Sequence, residues 1–557
     1  MKKTMSVVFC IMLALTAVLA GCSSSNNNKP ENQATGTGGA STAPSDTGEA
    51  SHAPAVPEKY DPPITLTTAS TVLAEKLPEG DSVDNNAWTR LYEQKYGIKI
   101  KTEFQADGAT MPQRMNLAIT SGDIPDFFQV PPAQFKQLVE ADMVEDLTDV
   151  FNNYASERVK NVINEGGPQA LKSATVDGKL MAIPYTSLPK EGVPILYVRS
   201  DWLKKLNLPE PKTMADVLAI STAFTEQDPD GNGKPDTYGL AMDKDYAYLK
   251  GFLNGFHAYQ DIWIKDSEGK LQYSSIQPEM KTALQQLQNL FKGKQIDPEF
   301  GTKGFDKVLE SLNTSKIGMF YFPFFAGLYP LQAGITKDPT MEWKPYPIVS
   351  VDDKPALNQL NLNVDTYWVV KKGVEHPEAI LKMLDSFVEI FYENTDPDIN
   401  TEFVNDGNSQ IWAYANVQAY RAFKNINQRL KVNKSLETKD TSELTGDDKN
   451  VYDNVVKYLD GDINFWGWNF IYGPEGSLGV VSGYVERDQY MQNEFITSSL
   501  PIMTEKNAAL LKLQNEMITK IILGASMDEF DKFVANWKKL GGDEITKEVN
   551  EWYAANN

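Results

Sequence analysis

Between residues 63 and 130 the apolar residues change period from one segment to the next, and this alternation restricts the fold more tightly than any single motif. Pro63-Ile64-Thr65-Leu66-Thr67-Thr68-Ala69 alternates every second residue, as a strand with one buried face does. Ala87 to Tyr96 carries the spacing of a helix, and Ile98-Lys99-Ile100-Lys101-Thr102-Glu103-Phe104 returns to alternation. Met111 to Thr120 predicts a second helix, ended by Ser121-Gly122-Asp123-Ile124-Pro125, and Asp126-Phe127-Phe128-Gln129-Val130 then reads as a buried strand. Strands and helices in this order predict an α/β sheet covered on both faces. With 557 residues, 41% of them hydrophobic, the chain is long enough for two or more such cores.

Composition removes several chemistries. Asp and Glu outnumber Lys and Arg by 75 to 53, a formal net charge of -22, and no compact basic patch interrupts that surplus, so nucleic acid is disfavoured. The same charge argues mildly against a polyanionic ligand, unless arginines gather locally. The only histidines are His52, His257 and His376 and the only cysteines Cys10 and Cys22. Thiolate zinc sites, cysteine redox centres and disulfide scaffolds are therefore excluded, a Ser-His-Asp mechanism has little to build on, and a metal here would be held by oxygen.

Lys2 and Lys3 precede an apolar stretch from Met5 to Ala20, the pattern of an export signal. Leu19-Ala20-Gly21-Cys22 resembles the lipobox of bacterial lipoproteins. The resemblance implies cleavage after residue 21, lipid transfer to Cys22, and a place on the extracellular face of a bacterial cell membrane. A plain secretory peptide or a short membrane anchor are the alternatives. Residues 22–60 are Ser, Asn, Gly, Thr, Ala and Pro with almost no large apolar side chain, and predict a flexible tether.

Three further segments are Ala118-Ile119-Thr120-Ser121-Gly122-Asp123-Ile124-Pro125-Asp126, Asp177-Gly178-Lys179-Leu180-Met181-Ala182-Ile183-Pro184-Tyr185, and Ile195 to Pro209 followed by Pro211-Lys212-Thr213. With Lys316-Ile317-Gly318-Met319-Phe320, His376-Pro377-Glu378-Ala379, and the tail bearing Phe530, Phe533 and Trp537, they form an ordered set. The set resembles the extracellular solute-binding proteins of ABC importers, most nearly the large carbohydrate-binding lipoproteins of Gram-positive bacteria. The resemblance implies an α/β fold of the periplasmic-binding-protein type (type II): two discontinuous lobes, hinge crossovers between them, and an interlobe ligand cleft. On that basis the N-terminal lobe is expected at 61–185 plus 361–495 and the C-terminal lobe at 186–360 plus 496–557, with crossovers near 183–194, 360–365 and 495–502. The implied partners are an oligosaccharide and the permease subunits of an ABC transporter, served by a monomeric receptor with no catalytic residues.

Asp228-Pro229-Asp230-Gly231-Asn232-Gly233-Lys234-Pro235-Asp236 places oxygen side chains at alternate positions with a glycine at the sixth, as a short loop wrapping a hard cation does. Asp228, Asp230, Asn232 and Asp236 would offer side-chain oxygens and Lys234 its carbonyl, a set suited to structural Ca²⁺. The twelfth position is Gly239 instead of a bidentate glutamate, so a complete EF-hand is not expected. The alternative is a solvated turn.

A sugar site needs flat aromatic faces beside amides and hydroxyls. Trp466 and Trp468, in the glycine-punctuated run Asn464 to Gly476, and Trp263 are the aromatic candidates, each weighed against a place in the core. Phe322-Pro323-Phe324-Phe325, Trp412 with Tyr414, and Tyr367 with Trp368 are further clusters. Ser70 and Thr71 after the first strand and Gln129 after the third are the polar candidates, because α/β sheets open toward ligand in the loops that follow strands. Arg199 could meet an acidic sugar, or pair with Asp201. Two other functions remain open: a surface glycoside hydrolase, for which Asp126 and Glu475 could be named without a motif to set their separation, and a receptor for peptides or another solute.

Overall fold

The strand–helix–strand unit near the start of the sequence owes its shape to its caps. Asn86 accepts hydrogen bonds from the amides of Trp88 and Thr89, Thr89 accepts one from the amide of Asn86, and the helix Ala87–Tyr96 begins there. It ends at Gly97, whose φ of 69° suits glycine and where a side chain would collide with the carbonyl of Tyr60. The strands Ile64–Thr71 and Ile98–Ala106 then lie parallel, Ile64 opposite Ile98, with a register shift between Thr68 and Ala69.

The structure, a computed structural model, describes residues 57–73, 76–246, 249–362, 364–407, 409–497 and 500–556. The chain divides into two units, Met1–Ala55 and Val56–Asn557, and the described residues belong to the second. The expected signal segment, Cys22 and most of the tether lie outside the described residues. The folded body starts slightly before the expected boundary: Tyr60 is buried and its hydroxyl donates to Glu378 at 2.8 Å. Among the described residues no helix is long and apolar enough to cross a membrane.

Two hydrophobic cores define two lobes. The first gathers Tyr60 to Ile183 and Val364 to Ala419. Its second sheet has three strands, Phe127–Val130 and Ile183–Thr186 flanking Val364–Val370, both pairings antiparallel. The central strand is thus supplied by chain returning from the other lobe. Asp126 joins the two sheets by accepting from the amide and hydroxyl of Thr67 at 2.8 and 3.0 Å.

The second core gathers Val193 to Leu360 and Ile426 to Val549. Its sheet runs in the order Trp343–Tyr346, Ile195–Arg199, Ile317–Phe322, Tyr238–Leu240. Every residue of Ile195–Arg199 is buried, as a central strand covered on both faces should be. Pro501–Ile522 packs against Pro278–Lys292, where the Gln288 amide donates to the carbonyls of Ile521 and Ala525 at 2.6 and 2.7 Å.

The chain passes between cores after Thr186, between Leu360 and Val364, and between Ala419 and Ile426. The third passage corrects the expectation of one near 495–502 and moves 426–495 from the first lobe to the second. The helices Lys424–Thr438, Gly446–Leu459, Trp466–Tyr472 and Ser477–Glu486 bury Val432, Val455, Ile471 and Val481 in the second core. Backbones approach closely at Gly327 and Gly467, where a Cβ on either glycine would meet the other's carbonyl oxygen within 2.7 Å.

Candidate functional site

The strand directions bring the polar candidates together. Val130 lies opposite Tyr367, and Thr186 opposite Val364, so the C-terminal ends of Phe127–Val130 and Ile183–Thr186 sit where the chain crosses between lobes. Ile64–Thr71, tied at Thr67 to Asp126, ends level with them. A cavity of about 330 Å³ opens there. Ser70, Thr71 and Gln129 line it, as does Thr68. Aromatic faces come from Tyr185 and Trp368 on the adjoining strands and from Trp412, Tyr414 and Tyr420 on a nearby segment.

That segment is held from behind. The Trp88 indole donates to the carbonyl of Ile411 at 3.1 Å, the Trp368 indole to that of Gln418 at 2.9 Å, and the Thr186 hydroxyl to that of Tyr420 at 2.6 Å. The Gln418 amide donates to the carbonyls of Ala415 and Ala413 at 2.9 and 3.1 Å, which folds the chain into a compact turn. Trp412 rests 5.4 Å from Phe391 and 6.1 Å from Tyr420, and Tyr185 meets Trp368 and Tyr420 edge-on at 6.4 and 5.5 Å. Burial holds the Tyr185 and Tyr420 phenols above their ordinary range, so both remain neutral hydroxyls able to donate and accept. The result is a wall of ring faces edged by amides and hydroxyls on fixed supports.

The three tryptophans expected at the site lie elsewhere. Trp263 is 5% exposed and packs 5.4 Å from Tyr273, which is itself parallel to Trp537 at 5.0 Å; it belongs to the second core. In the glycine-punctuated run, Trp466 and Trp468 lie on the helix Trp466–Tyr472 and not on a loop. Its aromatic residues fall four apart and stack in pairs, Trp466 on Phe470 at 4.4 Å and Trp468 on Tyr472 at 6.1 Å. Trp466 lines a separate groove of about 610 Å³ on the second lobe, with Lys204, Tyr346 and Glu475. Trp368, Trp412 and Tyr414, noted above as further aromatic clusters, line the cavity, and missed as candidates were Tyr185, Gln410, Asn416 and Tyr420. Strand alternation carried the signal for Trp368: Tyr367 stacks on Phe135 at 4.5 Å across the sheet, so Trp368 must face the other way.

Arg199 is a structural residue. Its guanidinium pairs with both oxygens of Asp201 at 2.8 and 2.6 Å, donates to Ser315 at 3.0 Å, and lies 4.5 Å from the Trp202 ring. Asp126 and Glu475 are not gathered: one is bound to Thr67 in the first lobe, the other lines the groove on the second.

In the Asp228–Asp236 loop, Asp228 accepts from the amides of Asn232 and Gly233 at 3.1 and 3.0 Å. The Asn232 side-chain amide bridges Asp230 and Asp236 at 2.6 and 3.1 Å. Lys316 reaches Asp236 at 2.7 Å and Asp230 at 3.5 Å, and it and Asn232 hold the Asp236 carboxyl below the usual carboxylate range. Among the described residues no group of three or more His, Cys, Asp or Glu side chains is arranged to hold a metal. The donors are all oxygen and their charge already draws an ammonium, which is the chemistry a hard cation requires.

Two discontinuous α/β lobes, three passages between them and a cavity at the strand ends define a two-lobe binding protein. The profile of the family described as bacterial extracellular solute-binding protein matches residues 74–389, more than half of the chain, and the chain belongs to that family. The polygalacturonan/rhamnogalacturonan-binding protein YtcQ of Bacillus subtilis is 28% identical over 221 residues, 38% of this chain and 42% of YtcQ. The fructooligosaccharide ABC transporter substrate-binding protein FusA of Streptococcus pneumoniae is 23% identical over 336 residues, 57% of each chain. These alignments thus span about half the length of the relatives. The solved structure of an HMO-binding, ABC-transporter-associated solute binding protein from Bifidobacterium longum infantis shares the fold, with a TM-score of 0.61 at 18% identity over 88% of this chain and 98% of that one. So does an EF-hand mutant of FusA in complex with fructo-nystose, with a TM-score of 0.57 at 14% identity over 88% and 99%. The family and these relatives are named for binding and not for catalysis.

Proposed function

We propose that this is a lipid-anchored extracellular receptor that captures an oligosaccharide between its lobes and delivers it to an ABC permease. The observation that carries the reading is the cavity where Trp368, Trp412 and Tyr185 present ring faces beside Ser70, Thr71 and Gln129. Rings stack on the apolar faces of a pyranose while amides and hydroxyls take its rim. Affinity comes from the interactions that form as the second lobe closes over a sugar held by the first, with no covalent step. The carbohydrate names of YtcQ and FusA support the ligand class. Lipidation rests on Cys22, and Cys22→Ala releases the protein from membranes in a fractionation assay.

Calcium belongs to the same proposal. Asp228, Asp230, Asn232 and Asp236, with the carbonyl of Lys234, would hold the ion, the Asn232 amide and the Lys316 ammonium giving way to it. The solved EF-hand mutant of FusA supports this reading. Bound there, the ion stiffens the loop ahead of the strand Tyr238–Leu240 and supplies no catalysis.

Isothermal titration of the purified full chain, in detergent, against a panel of plant, bacterial and host oligosaccharides tests the function. One glycan binds saturably and is recovered unchanged, and Trp412→Ala weakens it at least about tenfold. Recovery of cleaved glycan, or binding of peptides alone, refutes the proposal.

A further inference from the structure

The cavity walls carry one property that composition does not explain. In a chain with 23% charged residues, the described residues lining it include no Asp, Glu, Lys, Arg or His. Every polar side chain offered is a hydroxyl, an amide, an indole or a phenol. Of the cations nearby, Lys424 is bound to Asp447 at 2.8 Å and Arg421 lies 3.8 Å from Glu165. At the rim both signs act: Asp365 opposes ionisation of the Tyr185 and Tyr420 phenols, while Lys424, itself paired with Asp447, favours that of Tyr420.

The second lobe repeats the pattern. Phe322 pairs with Ile195, just after the chain enters this lobe, so the turn following Phe322 lies at the crossover end of the sheet. That turn reads Pro323-Phe324-Phe325-Ala326-Gly327-Leu328-Tyr329-Pro330, without a charge, and leaves Phe325, Leu328 and Tyr329 37%, 37% and 50% exposed.

Resting on the proposed sugar-binding function and naming its ligand class, we infer that the cavity takes an uncharged oligosaccharide and discriminates against glycans that carry carboxylates. A uronate closed into this site exchanges water for amides and ring faces, with no cation among the described residues that line it. An unpaired buried charge is costly, whereas the hydroxymethyl group of a neutral sugar is satisfied by one or two hydrogen bonds.

Titration calorimetry of the full chain, run with neutral tetrasaccharides (gluco-, manno- and galacto-configured) each beside its C6-oxidised uronate counterpart, and with fructan oligomers and an oligopeptide pool, tests this. The expected result is binding of a neutral glycan, with the matched uronate weaker by about 100-fold or more. A uronate that binds as tightly as its neutral partner overturns the inference while leaving the receptor a sugar receptor. Binding of peptides without any glycan, or silence from every probe, overturns the sugar-binding function underneath it.

Discussion

Glu191 lies in the passage from the first lobe to the second, and its titration gives a sharp test of how burial acts there. It has no exposed surface. Its carboxylate accepts from the amide of Ile426 at 2.7 Å and from the side-chain and main-chain amides of Asn425 at 2.7 and 3.2 Å, capping Lys424–Thr438 across the third passage. Burial outweighs these bonds and the nearby Lys424, and pushes the group up from 4.5 to about 7. A carboxyl raised in the folded state favours its protonated form, so its stabilising contribution is complete below about pH 4.5 and is lost as pH rises through about 7. At about 1.4 kcal/mol per pH decade, the gap makes a term of about 3 kcal/mol. Glu191→Gln keeps the neutral shape and removes the titration. Denaturant unfolding of both proteins at about pH 5 and about pH 8 should show them close at the lower pH and the Gln variant ahead by up to about 3 kcal/mol at the higher. If the variant falls behind at high pH instead, the ionised cap is worth more than its desolvation and the reasoning is refuted.

Two other consequences are testable with variants outside the cavity. Trp263→Ala, a large-to-small change in the second core, should cost about 3–5 kcal/mol in unfolding experiments while glycan affinity of the folded fraction stays unchanged; loss of affinity without loss of stability would return Trp263 to the site. In differential scanning fluorimetry with calcium or chelator, Asp230→Ala should abolish the calcium-dependent rise in melting temperature, and Lys316→Met, which removes the competing ammonium, should lower the calcium concentration needed for it. No calcium response in the unaltered chain would leave the loop a turn closed by its own lysine.

What could be read from the sequence followed from local rules with short reach. Alternation located Ile64–Thr71 and Ile98–Ala106, a short apolar run located Phe127–Val130, and the tendency of α/β sheets to open at strand ends led to Ser70, Thr71 and Gln129, all three of which line the cavity. The aromatic half of the site obeyed no such rule. Trp412, Tyr414 and Tyr420 sit on a segment without period, shaped by bonds to Trp88, Thr186 and Trp368 from far away in the chain. Trp466 and Trp468 misled because glycine punctuation suggests a loop, whereas the four-residue spacing to Phe470 and Tyr472 is a helical signal that forms two stacked pairs. The third passage was misplaced because the helices from Lys424 to Glu486 show which lobe they serve only through long-range packing such as that of Gly327 on Gly467.

The strand Val364–Val370 joins these observations. It enters the first lobe directly from the second passage and takes the central place in the sheet. Trp368 faces the cavity, while Tyr367, one residue away, faces a groove of about 820 Å³ on the other side, lined by Phe135 of the first lobe and by Leu500 and Trp552 of the second. The cavity wall is therefore built from one lobe and the groove behind it from both. A rotation that brings the uncharged Phe324–Tyr329 turn over the cavity must change the separation of Tyr367 from Trp552. In the proposed receptor, affinity for a sugar in front of the sheet is thus tied to packing behind it, because both depend on the same angle between lobes.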